Sequence, residues 1–237
     1  MTVWIQVQRA IGRPLLDWFA PPRCAGCDRL LAGGTSFCEE CSATLLPVEA
    51  PLCPVCGAPG CFGLCASCQR RPPPFERARS CYLWGGELAR AVRRFKYGSR
   101  LELAAPLGQL LGQRFPKVGD AEALVTVPLT RSGLRRRGFN QVVELVAAAR
   151  RAGAELPPVL PDVLRREGRR PPQASLPPSS RRRLPVSAFR VRRAVRGLSL
   201  LLVDDVLTTG STVRACCAAL RRAGARTVAV VTLARVE

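Results

Sequence analysis

Histidine is absent from this chain. That excludes a histidine general base, a His–Cys dyad and any imidazole metal ligand, so a metal here must be held by cysteine or carboxylate. Lysine is nearly absent as well. Lys96 and Lys117 are the only two among 37 basic residues, and the rest are arginine. Arginine's planar fork donates two hydrogen bonds at once and suits phosphate better than an ammonium does. No stretch approaches the ~18 uninterrupted apolar residues of a membrane span. The first twenty residues, "MTVWIQVQRAIGRPLLDWFA", are broken by Arg9, Arg13 and Asp17, and no small-residue cleavage site follows. They read as an amphipathic leader helix (1–20), and the chain as a cytoplasmic protein.

The 237 residues suffice for a medium domain and a small one. A net charge of +20 is concentrated rather than spread. From Arg131 to Arg196 there are 17 arginines against Glu144, Glu155, Asp162 and Glu167, which places +13 in about a quarter of the chain. So local a basic excess points to phosphate-bearing partners, whether nucleic acid, a phosphorylated small molecule or both. A solvated basic face is the plainer alternative.

Residues 21–72 are rich in Cys, Gly and Pro, and "RRPPPF" (Arg70–Phe75) reads as a linker to the longer C-terminal part of the chain. Eight cysteines form four CxxC pairs: Cys24/Cys27, Cys38/Cys41, Cys53/Cys56 and Cys65/Cys68. One such turn offers two thiolates, and two turns complete a tetrahedral S₄ site. Sequential pairing puts the first four on one Zn²⁺ and the second four on another; interleaved pairing is the alternative. Four thiolates leave no open position, so both metals are structural. A disulfide framework would need an oxidising compartment, for which no export signal appears. Loss of zinc is expected to unfold residues 21–72 and spare the rest. Cys61 is a spare cysteine or a variant ligand, and Cys81, Cys216 and Cys217 read as buried apolar residues.

From residue 73 onward, periodic elements alternate. Helices are predicted for "GELARAVRRFKYGS", "LELAAPLGQLLGQRF", "NQVVELVAAARRAG" and "STVRACCAALRRAGA"; strands for "ALVTVPL", "SLLLVDDV" and "TVAVVTLARV". The alternation indicates an α/β domain with a mainly parallel sheet flanked by helices. Pro157–Arg196, dense in Pro and Arg, is too long for a simple connection and reads as a lid or a disordered segment.

One buried strand ends in acid: "LLLVDDVLTTGST" (Leu200–Thr212). Ligands of α/β sheets bind beyond the carboxyl ends of strands. Asp204 and Asp205 stand at such an end, and Thr208–Thr212 offers amides, hydroxyls and a helix start. Together they suit a ribose 5-phosphate: carboxylates for hydroxyls or Mg²⁺, the loop for phosphate. An ordinary turn with Thr209 or Ser211 capping the helix fits the same residues.

"VDDVLTTGST" resembles the phosphoribosyl pyrophosphate (PRPP) motif of type I phosphoribosyltransferases. With "VTVPLTRSGLRRRGFNQ", "FKYGSR", "PPQASL", "SAFRV" and the leading cysteine module, nearly the whole chain resembles the ComF family. The resemblance implies a double zinc ribbon (21–72) followed by a phosphoribosyltransferase-like domain (73–237). It implies that Asp204 and Asp205 hold the ribose hydroxyls and that Thr208, Thr209, Gly210, Ser211 and Thr212 hold the 5′-phosphate. Thr130–Arg137, after the first sheet strand, is implied to take pyrophosphate, through Arg131 and Arg137, with Mg²⁺ accompanying PRPP. Segment 157–196 corresponds to the mobile loop that closes over PRPP, and it departs from the family pattern at Arg170 and Leu184. Thr208 stands where purine transferases carry an aspartate near the base, so no acceptor base is identified. The family includes competence proteins, which implies DNA uptake in natural transformation, single-stranded DNA contacts and competence-machinery partners. An active transferase in nucleotide or nucleoside metabolism, with an unknown acceptor, is the alternative. A third reading makes the zinc module the main partner-docking surface.

Overall fold

The computed structural model describes residues 21–31, 35–98, 100–116, 118–167 and 184–237. The leader (1–20) lies outside the described residues.

Four parallel strands form the central sheet, in the order β1–β6–β5–β2. They are β1 (Arg77–Leu83), β2 (Ala123–Thr126), β5 (Ser199–Leu207) and β6 (Thr227–Arg235). The central pair, β5 and β6, is buried almost end to end, as their unbroken apolar runs require when helices cover both faces. Strand β1, "RARSCYL", was not among the predicted elements. Its arginines alternate with small and aromatic residues, as suits an edge strand with one face partly open.

Helices α3 (Gly86–Tyr97), α4 (Ala104–Gln113) and α6 (Gln141–Arg151) lie on one face, and α7 (Ser211–Arg222) lies on the other. In α3, Leu88, Val92 and Phe95 are buried, the stripe expected from their spacing. Helices α4 and α6 pack closely at Gly108, where a Cβ would sit 2.3 Å from Ala148 Cβ. Cys81, Cys216 and Cys217 are buried among apolar neighbours.

The Pro/Arg-rich segment is more structured at its two ends than the lid reading implied. Leu124 N donates to Pro158 O (2.8 Å) and Leu160 N to Leu124 O (2.9 Å), extending the sheet edge beside β2. Strands β3 (Leu164–Arg166) and β4 (Phe189–Val191) then pair antiparallel. Val163, Leu164, Phe189 and Val195 are buried against the α7 face, and Leu184 packs on the same cluster. These scattered apolar residues anchor both ends to the core; residues 168–183, including Arg170, lie outside the described residues.

The cysteine module does not stand apart from the sheet. Its two short helices, α1 (Glu39–Ala43) and α2 (Ala66–Arg70), belong to segments laid along β1. Val48 N donates to Cys81 O, Leu83 N to Leu46 O and Ala78 N to Val55 O, at 2.7–3.0 Å. The linker is pinned as well, because Arg214 of α7 donates to Arg71 O and Pro72 O. Cys24, Ala25, Phe37 and Cys41 share one apolar core with α3 and the sheet. Backbone bonds and a common core thus tie the module to β1, which argues against unfolding of 21–72 alone.

Candidate functional site

The cysteines gather as two clusters, Cys24/Cys27/Cys38/Cys41 and Cys53/Cys56/Cys65/Cys68, with the sulfurs of each within 4.8 Å of one another. This is the sequential pairing. The Sγ–Sγ separations of Cys24–Cys38 (3.7 Å), Cys27–Cys38 (3.8 Å) and Cys56–Cys65 (3.5 Å) approach the edge of a tetrahedron with Zn–S bonds of about 2.3 Å. The local construction repeats. In each cluster the first CxxC sits in a tight turn closed by a short antiparallel bridge, Arg23↔Leu30 or Leu52↔Pro59. The second CxxC opens a helix, with Cys38 or Cys65 at the N-cap. Cys38 N donates to Cys24 Sγ and Cys65 N to Cys53 Sγ, as amides do toward zinc-bound thiolates. Both sites are Cys₄, and Cys61, near Pro59 O, belongs to neither.

The acidic strand end is asymmetric. Because side chains alternate along a strand, Asp204 and Asp205 face opposite sides of the sheet. Asp205 is 3% exposed and both its oxygens are engaged: Lys96 Nζ donates to Oδ1 at 2.7 Å and Gln141 Nε2 to Oδ2 at 2.9 Å. Asp204 faces the α7 side, and its Oδ1 accepts from the Asp205 amide at 2.9 Å. Burial, together with the neighbouring Asp205 charge, pushes the Asp204 carboxyl up to about 8, against the opposing pull of the Asp205 amide, then of Lys96 and Arg166.

Lys96 and Gln141 carried no role in the sequence reading, although they lie within "FKYGSR" and "RRRGFNQ". The two stretches meet in space. Phe95 and Phe139 have ring centroids 5.3 Å apart, and the Arg137 guanidinium lies 5.2 Å over the Tyr97 ring. Arg137 Nη1 also donates to Gln141 Oε1 at 3.0 Å. Their convergence on Asp205 was invisible to spacing, since the residues that meet come from α3, α6 and β5.

After β5, Thr208 and Thr209 are exposed and Gly210 turns the chain with φ of +71°, a conformation glycine adopts at little cost. Gly210 is the N-cap of α7 and no side chain caps the helix, so the simple cap is not what these residues build. Instead Thr209 Oγ1 lies 3.2 Å from Ser211 Oγ and 3.4 Å from Ser211 N. First-turn amides beside hydroxyls are the donor set an anion requires.

Thr130–Arg137 is mostly helix α5 (Arg131–Arg137), capped by Thr130 Oγ1 accepting from Gly133 N. It follows β2, the second strand in the chain rather than the first. Arg131 and Arg137 sit at its two ends, so they are not brought together. Arg137 turns to Tyr97 and Gln141, whereas Arg131 joins Arg135, Arg165 and Arg166 along a cleft of 390 Å³. A neighbouring cleft of 320 Å³ adds Arg192 and apolar Leu129, Leu134 and Leu164. Five arginines of the basic stretch are thus gathered in space where α5 meets the β3–β4 pair.

A double zinc ribbon domain matches residues 15–82, and a phosphoribosyl transferase domain matches residues 132–237. The chain is 32% identical over 225 residues to the DNA utilization protein YhgH of Escherichia coli O157:H7, covering 91% of this chain and 97% of that protein. It is 26% identical to competence protein F of Haemophilus influenzae (90% and 96% covered) and 26% identical to competence protein ComFC of Streptococcus pneumoniae (84% and 87% covered). Among the described residues, no helix is long and apolar enough to cross a membrane. With both domains in order and full-length relatives of these names, the chain belongs to the ComF family, in which a double zinc ribbon is joined to a phosphoribosyltransferase domain.

Proposed function

We propose that this protein binds PRPP, or a related ribose 5-phosphate, at the carboxyl end of β5 and acts in DNA uptake, with single-stranded DNA held by the adjacent arginines. The observation that carries the reading is the juxtaposition of Asp204 with the uncapped start of α7. Acid for a diol and amides for a phosphate stand one loop apart. Thr208–Thr212 would take the 5′-phosphate through main-chain amides and hydroxyls. Asp204 would accept from the ribose hydroxyls, and Asp205, tied to Lys96 and Gln141, would hold the strand end in place. Arg131, in the arginine-lined cleft, would meet the pyrophosphate group; Mg²⁺ bound with PRPP would neutralise part of that group's charge. The names of the relatives, DNA utilization and competence proteins, support the uptake role. The clefts of Arg131, Arg135, Arg165, Arg166 and Arg192 support phosphate-backbone contact. Competence proteins in the cytoplasm are the partners this role implies.

Phosphoribosyl transfer is the second reading, favoured by the complete loop between Asp204 and α7. An acceptor would attack C1′ as pyrophosphate leaves, with positioning supplying much of the rate. Thr208 is no base at neutral pH, so the acceptor would arrive as its own nucleophile.

Titration of the holoprotein with Mg²⁺–PRPP tests the first reading. Saturable binding lost in Asp204→Asn is expected; no binding by the wild type overturns it. Pyrophosphate release in the presence of candidate bases separates binding from transfer. Binding of a single-stranded oligonucleotide should weaken steeply with salt, and no binding at low salt removes the DNA role.

A further inference from the structure

We infer that the first zinc site and the acidic strand end are energetically coupled through α3, with Arg94 and Lys96 as positioning residues that grip the two sites from opposite sides of one helix. What is positioned rests on the phosphoribosyl reading above; the coupling itself rests on contacts.

Residues two apart on an α-helix point about 200° from each other. Arg94 and Lys96 are such a pair. On one side, Arg94 Nη1 donates to Gly26 O (3.1 Å) and Ala25 O (3.3 Å), the carbonyls inside the Cys24–Cys27 turn. Its Nη2 donates to Asp28 Oδ1 at 2.7 Å. On the other side, Lys96 Nζ holds Asp205 at 2.7 Å. Arg100, just past the helix, returns to the zinc side and donates to both oxygens of Asp28, at 3.2 and 3.3 Å. Arg94, Lys96 and Arg100 therefore alternate between the two sites.

The helix also touches the zinc turn without side-chain slack. A Cβ on Gly26 would lie 2.8 Å from Glu87 Cβ and 3.0 Å from Cys41 Sγ, so the first turn of α3 rests directly on the turn. Asp28, with φ of +70°, occupies a conformation costly for a residue with a side chain, and its ion pairs with Arg94 and Arg100 hold it there. A Cys₄ turn keeps its shape through the metal. When the metal leaves, the carbonyl and carboxylate acceptors of Arg94 lose their positions and α3 loses its seat. Lys96 then moves relative to Asp205, which is buried and depends on that charge. The strand end that presents Asp204 shifts with it. Because linkage is reciprocal, weakening Lys96–Asp205 must also loosen the zinc.

The experiment uses the full zinc-loaded chain and follows zinc transfer to the chelating dye 4-(2-pyridylazo)resorcinol, with and without Mg²⁺–PRPP. Lys96→Met and Lys96→Gln should each release one of the two zinc ions at least about five-fold faster than wild type, at the lower end of ordinary couplings, whereas Lys96→Arg should restore slow release. Leu220→Ala, which opens the core on the α7 face of the sheet, controls for general destabilisation and should not reproduce this release. Mg²⁺–PRPP should slow release in the wild type, and Arg94→Met should weaken Mg²⁺–PRPP binding while keeping two zinc ions per chain. Wild-type release kinetics in both Lys96 variants overturn the coupling, even when PRPP binds. Faster release in those variants with no PRPP effect on any protein upholds the coupling and overturns the phosphoribosyl reading instead.

Discussion

Lys96 Nζ lies 2.7 Å from Asp205 Oδ1, although 109 residues separate them in the chain. The pair is nearly closed to water, at 16% and 4% side-chain exposure, and Gln141 occupies the other carboxylate oxygen. Two adjacent aspartates that look equivalent in sequence are thereby given different work. Asp205 ties β5 to α3 and α6; in the proposed reading Asp204 is the one that meets a ligand.

Asparagine substitution should separate these roles. Asp205→Asn leaves Lys96 facing a neutral acceptor in a largely dry site. The cost should lie toward the low end of the ~3–5 kcal/mol seen when a buried pair is broken, because Lys96 keeps some water. For a chain of this size that lowers the melting temperature by roughly 6–12 °C. Asp204→Asn removes a carboxyl whose ionisation the fold opposes, so it should leave stability at pH 8 equal or higher while abolishing Mg²⁺–PRPP binding. Thermal melts and titration of both variants check the contrast.

The Asp204 carboxyl also sets a pH dependence. Its folded value of about 8 stands above the ordinary 3.8, so the folded chain holds a proton that the unfolded chain releases between those values. Stability contributed by this group is full below pH ~4 and is lost as pH rises toward 8. The melting-temperature advantage of Asp204→Asn over wild type should therefore grow from pH 5 to pH 8 and flatten above. Ligand binding by the ionised form runs the other way. The Mg²⁺–PRPP dissociation constant should fall by up to about tenfold per pH unit below 8, and a flat profile between pH 6.5 and 8.5 would contradict the assignment.

Two glycines of the second zinc turn differ in a way that substitution can read. Gly57 and Gly60 both have positive φ, but a Cβ on Gly57 would meet Ala78 O at 2.6 Å while Gly60 faces open space. Gly60→Ala should cost the ~1–2 kcal/mol of a left-handed alanine. Gly57→Ala adds a clash with the backbone of β1 and should reduce zinc content from two per chain toward one, measured by metal analysis of the purified protein.

At the α4–α6 contact, Gly108→Ala should destabilise by about 1–3 kcal/mol, because the helices cannot approach without overlap at Ala148 and the Leu145 carbonyl. Gly112→Ala meets Ala154 Cβ at 3.2 Å and should be tolerated better. Denaturant unfolding ranks the two.

For the basic clefts, the double variant Arg131→Gln/Arg166→Gln should reduce the slope of log K against log salt for a single-stranded oligonucleotide by about 1.4, two phosphates' worth. An unchanged slope would place DNA elsewhere on the surface.

Much of this was legible from local pattern. The apolar runs of β5 and β6 can only be strands buried on both faces, and the spacing of Leu88, Val92 and Phe95 can only cover one side of a helix. Strand β1 escaped because Arg77 and Arg79 interrupt its pattern; Arg79 donates to Cys53 O and Pro54 O, carbonyls of the second zinc turn. The ends of segment 157–196 escaped for a related reason: Pro and Arg dominate the composition, while the few apolar residues that anchor it are far apart.

By itself the sequence determined the four CxxC turns, most of the helices and the central strands, the acid-tipped strand and its glycine loop, since each depends on residues close together in the chain. Only the tertiary structure decided that Asp205 is held by Lys96 and Gln141 while Asp204 is not, that Arg137 turns to Tyr97 and Gln141, and that the zinc module shares a core with the sheet. Those outcomes depend on which side chains from distant elements reach one another. That is set by how the helices seat on a parallel sheet, not by any spacing along the chain.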